Sequence, residues 1–489
     1  MASRQNYTRR DFLKECAAAA ASGLAMTECG WAAGGVVLSS DVLETRIKER
    51  ARPNIVFILA DDFGWRDVSY DVGYGHSGSS YYETPNIDKL AAAGMRFTDA
   101  YAACPVCSPT RASIMTGKHP ARIRLTDWIN GHNRPDAKLK IPDWTHYMRL
   151  EEVTIAEALK AAGYTTGHVG KWHLGDDPVY WPEGQGFDAN KGGWKAGSPG
   201  GAGGYFVPYG NPRLQDGPPG EYLTDRLGAE AAGFIEQNKD RPFFLYMAHY
   251  AVHTPLMAKE DIIDKYKAKP STPEHDNATY AAMIQSMDEA VGRIMDKLEE
   301  LKIADDTIVF FMSDNGGLLG KTSNAPLRGG KAQAYEGGIR EPMIIKWPGV
   351  AKPGSLCSEP VISTDFYPTI LEMASLPATP KQHIDGISLL PLLRQRGSLD
   401  RAAIYWHYPH YHPLNPYGPF GAVRKGRWKL IEYYEDMNVE LYDLEDDLGE
   451  QNDLAQVQPA KRDELRDLLR EWRQAVNAQM PSPNPNYTG

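Results

Sequence analysis

Asn54-Ile55-Val56-Phe57-Ile58-Leu59-Ala60-Asp61-Asp62 reads as one strand and its carboxyl end. A run with so little polar interruption fits a strand buried on both faces, the pattern of a parallel sheet covered by helices. The two carboxylates then fall at the strand's C-terminal end, where open α/β sheets place their sites. The pattern recurs downstream. Phe243-Phe244-Leu245-Tyr246-Met247 runs into a loop bearing His249 and His253, and Thr307-Ile308-Val309-Phe310-Phe311-Met312 ends at Ser313-Asp314-Asn315. Ahead of the last strand, Met283, Met287, Val291, Ile294 and Leu298 share helical spacing and predict an amphipathic helix.

Residues 192–220 are rich in Gly and Pro and read as a long surface loop. From about Pro377 a second unit begins. Residues 428–434 and 440–444 suggest antiparallel strands, and Leu465, Leu468, Leu469, Trp472 and Val476 mark a final amphipathic helix. The expected division is a signal segment over 1–40, a catalytic α/β domain over 50–376 and a C-terminal α+β unit over 377–489. A chain of 489 residues supports two or three domains.

Lys and Arg total 53 against 63 Asp and Glu, a net charge of −10 that argues against a nucleic-acid or anionic-membrane surface. An anionic substrate therefore needs a locally basic pocket. Near the start, Thr8-Arg9-Arg10-Asp11-Phe12-Leu13-Lys14 precedes an Ala-rich apolar run reaching Met26, the order of a twin-arginine export signal. That run is too short to span a membrane, so the expected location is periplasmic or extracellular, reached through the twin-arginine machinery. Glu28 directly before Cys29 argues against a lipoprotein anchor. Of the five cysteines, Cys16 and Cys29 belong to this segment; Cys104, Cys107 and Cys357 are too few and too scattered for a disulfide framework.

Asp61, Asp62, Asp314 and Asn315 offer oxygen ligands only, which suits one hard cation, Ca²⁺ or Mg²⁺, over zinc. Cys107-Ser108-Pro109-Thr110-Arg111-Ala112-Ser113-Ile114-Met115-Thr116-Gly117 carries the remaining chemistry. Ser108 is placed to cap a helix opening at Pro109, which leaves Cys107 just outside a helix N-terminus where negative charge is favoured, with Arg111 in the first turn. Taken singly, Cys107 could equally be a small packed residue.

The whole string resembles the signature of the type I sulfatases of the alkaline phosphatase superfamily, in which a Cys-x-Pro-x-Arg segment directs oxidation of the Cys to formylglycine, an aldehyde that hydrates to a geminal diol. The resemblance implies an alkaline-phosphatase-like fold, a large mixed sheet sandwiched by helices with a smaller C-terminal α+β domain. It also implies a formylglycine-generating or radical maturation enzyme acting on Cys107, residue 107 as a further metal ligand, and sulfate-ester hydrolysis on a sulfated saccharide. Gly170-Lys171-Trp172-His173-Leu174-Gly175 resembles the family motif that brings a Lys and a His to the pocket. His253-Thr254-Pro255 resembles the segment holding the leaving-group acid, and Lys331, ahead of Tyr335-Glu336-Gly337-Gly338-Ile339-Arg340-Glu341-Pro342, matches the second sulfate-contacting lysine. His249 reads as structural. Asp385-Gly386-Ile387-Ser388 extends the resemblance toward the smaller unit.

In that scheme the metal, Arg111, Lys171 and Lys331 neutralise nonbridging oxygens, His253 protonates the departing alkoxide, and His173 contacts the diol. Lys118 and His119 compete for the pocket pair by proximity to the signature; motif favours Lys171 and His173, with Lys118 expected close behind Cys107. Trp406-His407-Tyr408-Pro409-His410-Tyr411-His412 suits a sugar or, equally, the packing of an edge strand. Two other functions share these residues: a phosphomonoesterase or phosphonate hydrolase, and a carbohydrate-binding pseudoenzyme with unmodified Cys107. Asn315 and the Lys171/Lys331 pair favour sulfate.

Overall fold

A computed structural model describes residues 52–132 and 134–487. The twin-arginine-type segment, with Cys16 and Cys29, lies outside them. Eight strands make the main sheet: β1 (Asn54–Ala60), β2 (Met95–Phe97), β3 (Thr165–Gly170), β4 (Ala189–Lys191), β5 (Phe243–Ala248), β6 (Thr307–Ser313), β7 (Met343–Lys346) and β8 (Ser355–Cys357). Their spatial order is β8-β2-β7-β6-β1-β5-β3-β4. β1 runs parallel to β5 and β6, while β7 is antiparallel to β6 and β2, so the sheet is mixed.

Central position explains the composition of β1. Ile55, Phe57 and Leu59 pack on one face with the helices Cys107–Thr116, Ile155–Ala161 and Phe366–Met373. Val56, Ile58 and Ala60 pack on the other with Pro85–Ala93, Leu223–Asn238 and Ala278–Glu300. No position in the strand faces water, so from Ile55 to Ala60 every residue is apolar. The helix Ala278–Glu300 buries all five residues that its spacing selected, Met283 through Leu298, and Asn277 caps it by accepting from the Tyr280 amide at 3.0 Å. The Gly/Pro-rich stretch departs from a plain surface loop. Tyr205, Tyr209 and Leu214 are buried there, and the Tyr205 hydroxyl lies 2.8 Å from the His253 carbonyl, so the stretch underpins the site instead of skirting it.

The C-terminal sheet consists of β9 (Ile404–Tyr408), β10 (Phe420–Lys425), β11 (Trp428–Tyr433) and β12 (Val439–Asp443), all antiparallel. One face carries the helix Pro459–Ala475 through Leu465 and Leu469. Trp406, Phe420, Ala422 and Ile431 on the opposite face join Tyr101, Val106 and Ile339 of the main unit in one core. Cys104, Cys107 and Cys357 are free thiols. Among the described residues, no helix is long and apolar enough to cross a membrane.

A buried ion network locks the two sheets. Lys429 of β11, fully buried, lies 2.8 Å from Glu336 and 2.8 Å from Glu450. Glu336 also meets Arg340 at 2.6 Å; Arg340 meets Asp99 at 3.0 Å, and Asp99 meets Arg424 of β10 at 2.6 Å. Removing one partner from such a cluster strands uncompensated buried charge, at a cost of about 3–5 kcal/mol. Lys429→Met is therefore expected to lower the denaturation midpoint sharply; a midpoint equal to that of the unmutated protein would show that the apolar interface alone fixes the C-terminal sheet.

Candidate active site

Strand register assembles the site. β1 pairs with β5 so that Leu59 faces Ala248, and with β6 so that Ala60 faces Ser313. The residues that follow the three central strands therefore emerge side by side: Asp61 and Asp62, the loop carrying His249 and His253, and Asp314 with Asn315. β3 adds Lys171 at the same edge, its amide bonded to the Ala248 carbonyl at 2.7 Å. The preceding Gly170 has φ +101°, and a Cβ there would stand 1.9 Å from the Ala248 oxygen, so only glycine lets the strands approach this closely.

Asp61, Asp62, Asp314 and Asn315 are all buried. Lys171 Nζ lies 2.7 Å from Asp61 Oδ2, Lys331 Nζ lies 2.6 Å from Asp62 Oδ1, and Arg111 bonds Asp314 Oδ2 through Nε at 2.8 Å. Three carboxylates thus face three cations. Asn315 Nδ2 donates to Asp62 Oδ1 at 2.8 Å. Burial, with Asp314 adding to it, raises the Asp61 carboxyl against the pull of Lys171. Although burial opposes it, Asp62 is held well below the usual carboxylate range by Lys331 and His253.

Two acceptors stay unanswered: Asp61 Oδ1 and Asn315 Oδ1 are buried without a hydrogen-bond partner among the described residues. Possible ligand atoms of Asp61, Cys107 and Asp314 lie within 4.8 Å of one another, as do those of Asp62, Cys107 and His253. Converging buried oxygens with orphaned lone pairs are what a hard, oxygen-preferring cation requires. The residues fit such an ion.

The helix Cys107–Thr116 is buried along its whole length. It begins at Cys107 itself, and Val106 in the capping position makes no side-chain bond. The expected Ser108 cap does not form because the Ser108 hydroxyl instead accepts from the Ile129 amide at 3.2 Å. Burial raises the Cys107 thiol pKa, and the nearby Lys171 and Lys331 only partly offset it.

His173 Nε2 bonds the Ile129 carbonyl, while Nδ1 has no partner among the described residues. His253 Nδ1 bonds the Thr254 carbonyl at 2.7 Å, and its Nε2 stands 3.7 Å from Asp62. Burial, reinforced by Lys331, lowers the His253 pKa to about 3, with Asp62 opposing. His249 is fully buried, and neither ring nitrogen has a hydrogen-bond partner among the described residues.

These groups open into a cavity of about 310 Å³. Asp62, Cys107, His173, His253 and Lys331 line it; Asp61, Arg111, Lys171, Asp314 and Asn315 are buried off its wall. Lys118 does not stand behind Cys107: it pairs with Glu152 at 2.6 Å, and His119 packs edge-on against Trp472. Of the aromatic stretch 406–412 only His412 reaches the cavity, because Trp406 and Tyr408 are core residues. Trp128, His132 and Leu414 also line the wall. The sequence reading passed over Trp128 and His132, which sit in an irregular loop without periodicity; their only signal is an aromatic pair around a glycine turn.

The sulfatase family model matches residues 53–376, and the model described as N-sulphoglucosamine sulphohydrolase, C-terminal, matches residues 330–477. A sulfatase of Formosa agariphila is 34% identical over 91% of this chain and 93% of its own length. Human N-acetylgalactosamine-6-sulfatase is 35% identical over 72% of this chain and 68% of its own. Among solved structures, Ps i-CgsB in complex with k-i-k-neocarrahexaose superposes with a TM-score of 0.71 and 31% identity, covering 89% of this chain and 94% of that one. A family match running from β1 through the Cys107 helix and past β8, joined to a relative 34% identical over 91% of the chain, means that the chain belongs to the sulfatase family.

Proposed function

We propose that this chain hydrolyses sulfate esters of a carbohydrate, with Cys107 converted to formylglycine by a maturation enzyme and one Ca²⁺ or Mg²⁺ held by Asp61, Asp62, Asp314, Asn315 and residue 107. One observation carries the reading. Ligand atoms of Asp61 and Asp314 converge at Cys107, Asp61 Oδ1 has no hydrogen-bond partner among the described residues, and Lys331 and His253 share the cavity wall with Cys107, so one site offers a seat for a hard cation and nitrogen donors for an anion. The carbohydrate assignment is supported by the names of the galactosamine sulfatase relative and of the carrageenan oligosaccharide complex.

A formylglycine at position 107 supplies a diol hydroxyl as nucleophile, and a divalent cation supplies charge neutralisation at nonbridging sulfate oxygens. The chain's own residues do the rest. Lys331 on the cavity wall still has donors beyond its bond to Asp62 and can meet a sulfate oxygen. Arg111 fixes Asp314 and Lys171 fixes Asp61, so the acceptors need no rearrangement as charge develops. His173, with Nε2 committed to Ile129, has Nδ1 left to accept a proton from a hydroxyl at position 107.

His253 is oriented by Thr254 and keeps Nε2 for the leaving oxygen. The negative charge of a bound sulfate ester favours the protonated form of this imidazole that the acid role needs. As the sulfur–oxygen bond breaks, the sugar oxygen takes that proton. Export through the twin-arginine machinery to the periplasm or beyond agrees with the Arg9-Arg10 segment. The absence of a His from the set Asp61, Asp62, Asp314 and Asn315 favours this reading over a phosphomonoesterase or phosphonate hydrolase.

His253→Ala is expected to lose about 10² to 10⁴ in rate on a sulfated saccharide and far less on a nitrophenyl sulfate, since a nitrophenolate departs without protonation. Equal losses on both substrates would move the acid role elsewhere. Cys107→Ala should abolish turnover, and peptide mass analysis of active protein should show an aldehyde at position 107; full activity with an intact thiol would overturn the mechanism. Chelation should remove activity, with Ca²⁺ or Mg²⁺ restoring it better than Zn²⁺. Restoration by zinc alone would point to the phosphatase reading.

A further inference from the structure

The cavity has a second wall that the sulfate chemistry does not use. Beside the charged residues stand Trp128 and His132 from the loop after Asp127, and His412 with Leu414 from the C-terminal unit. Their rings interlock: Trp128 and His132 meet edge to face at 5.0 Å, and His132 and His412 likewise at 4.8 Å. The two segments are also fastened behind the wall, where the Tyr408 hydroxyl donates to Asp127 Oδ1 at 2.7 Å, Thr126 Oγ1 lies 2.8 Å from His410 Nε2, and Gln333 Nε2 donates to the Leu414 carbonyl at 2.7 Å. Residues held this way on both sides form a rigid surface.

The surface carries unspent donors. Trp128 Nε1 is buried with no hydrogen-bond partner among the described residues, and an indole nitrogen can only donate. In His412 the Nδ1 atom accepts from the Leu414 amide at 3.1 Å, which places the proton of the neutral ring on Nε2. Burial, with His132 and Lys331 adding to it, keeps that ring neutral. The wall thus offers aromatic faces and neutral N–H donors without adding positive charge.

Resting on the sulfatase reading, we propose that Trp128 and His412, braced by His132, form the saccharide-recognition wall that selects the leaving group: one pyranose ring lying against the aromatic faces, its hydroxyl or ring oxygens accepting from Trp128 Nε1 and His412 Nε2. Neutral donors beside apolar ring faces are the chemistry of an uncharged sugar face, and 310 Å³, at the small end of ligand cavities, holds a single ring with its sulfate. Specificity for the sugar would then come from the C-terminal unit as much as from the catalytic domain, because His412 belongs to the former.

The test measures binding apart from turnover. In the Cys107→Ser protein, a panel of sulfated hexoses and inorganic sulfate would be titrated by calorimetry, taking the best-bound sugar forward. His412→Ala in that background should weaken the sugar roughly tenfold more than it weakens sulfate, the size of one hydrogen bond with its ring contact. Trp128→Phe, which keeps the ring and removes the N–H, should give a smaller selective loss, and His412→Asn, able both to accept from Leu414 and to donate outward, should recover part of the affinity. Matched melting temperatures would exclude unfolding. Equal weakening of sugar and sulfate, or a panel in which no hexose binds more tightly than sulfate, would overturn the proposal. In parallel, the protein with formylglycine at 107 would be assayed for sulfate release: His412-dependent binding without release would uphold this wall and sink the hydrolase reading.

Discussion

Burying three carboxylates against three cations at the ends of the central strands is the constraint to which the rest of the structure answers. Each charge alone would cost several kcal/mol to desolvate, and only mutual pairing with further hydrogen bonds offsets that. Pairing at such distances demands fixed backbone. The strand register supplies it by delivering Asp61, Lys171 and Asp314 from neighbouring strands, and β1, apolar from Ile55 to Ala60, supplies the stiffness by packing both faces. Gly170 belongs to the same requirement, since a side chain there would push β3 from β5 and carry Lys171 away from Asp61.

The C-terminal unit answers a related constraint. Its sheet is docked by an apolar face and by a chain of buried charges running from Lys429 through Glu336 and Arg340 to Asp99 and Arg424. Glu336 and Arg340 belong to the segment that also follows Lys331, so the network that seats the second sheet lies five residues from a lysine of the cavity wall. Docking and cavity shape are thereby coupled. The coupling brings His412 to the cavity even though most of its own stretch is core.

How much of this was legible in the sequence follows from which interactions are local. The strand Asn54–Ala60 and the helix Ala278–Glu300 could be read because burial imposes a period on consecutive residues. The candidate site residues stood out because each belongs to a short motif at a strand end or turn. The strand order could not, nor could the short strands β2 and β8, whose three residues each carry too little pattern. Ser108 misled for a physical reason: a serine before a proline is a good cap, yet a tertiary partner at Ile129 outcompeted the local bond. Lys118 misled because proximity in sequence to Cys107 is undone by the helix between them and by Glu152, which claims the ammonium. Trp128 and His132 were illegible because a loop's side chains point where tertiary contacts send them.

The distribution of charge bears on how an anionic polymer would be handled. With 63 acidic residues against 53 basic ones, the chain as a whole repels polyanions, while Lys331 stands on the cavity wall and Arg111 and Lys171 are buried behind it. A basic surface would raise affinity for any sulfated or phosphorylated chain and slow release of the product. Setting Lys331 in the cavity beside neutral donors instead makes capture depend on a sulfate entering with a sugar of the right shape. Affinity is then low for everything except the group to be cleaved, and once the ester is broken the desulfated sugar keeps only its contacts with the neutral wall.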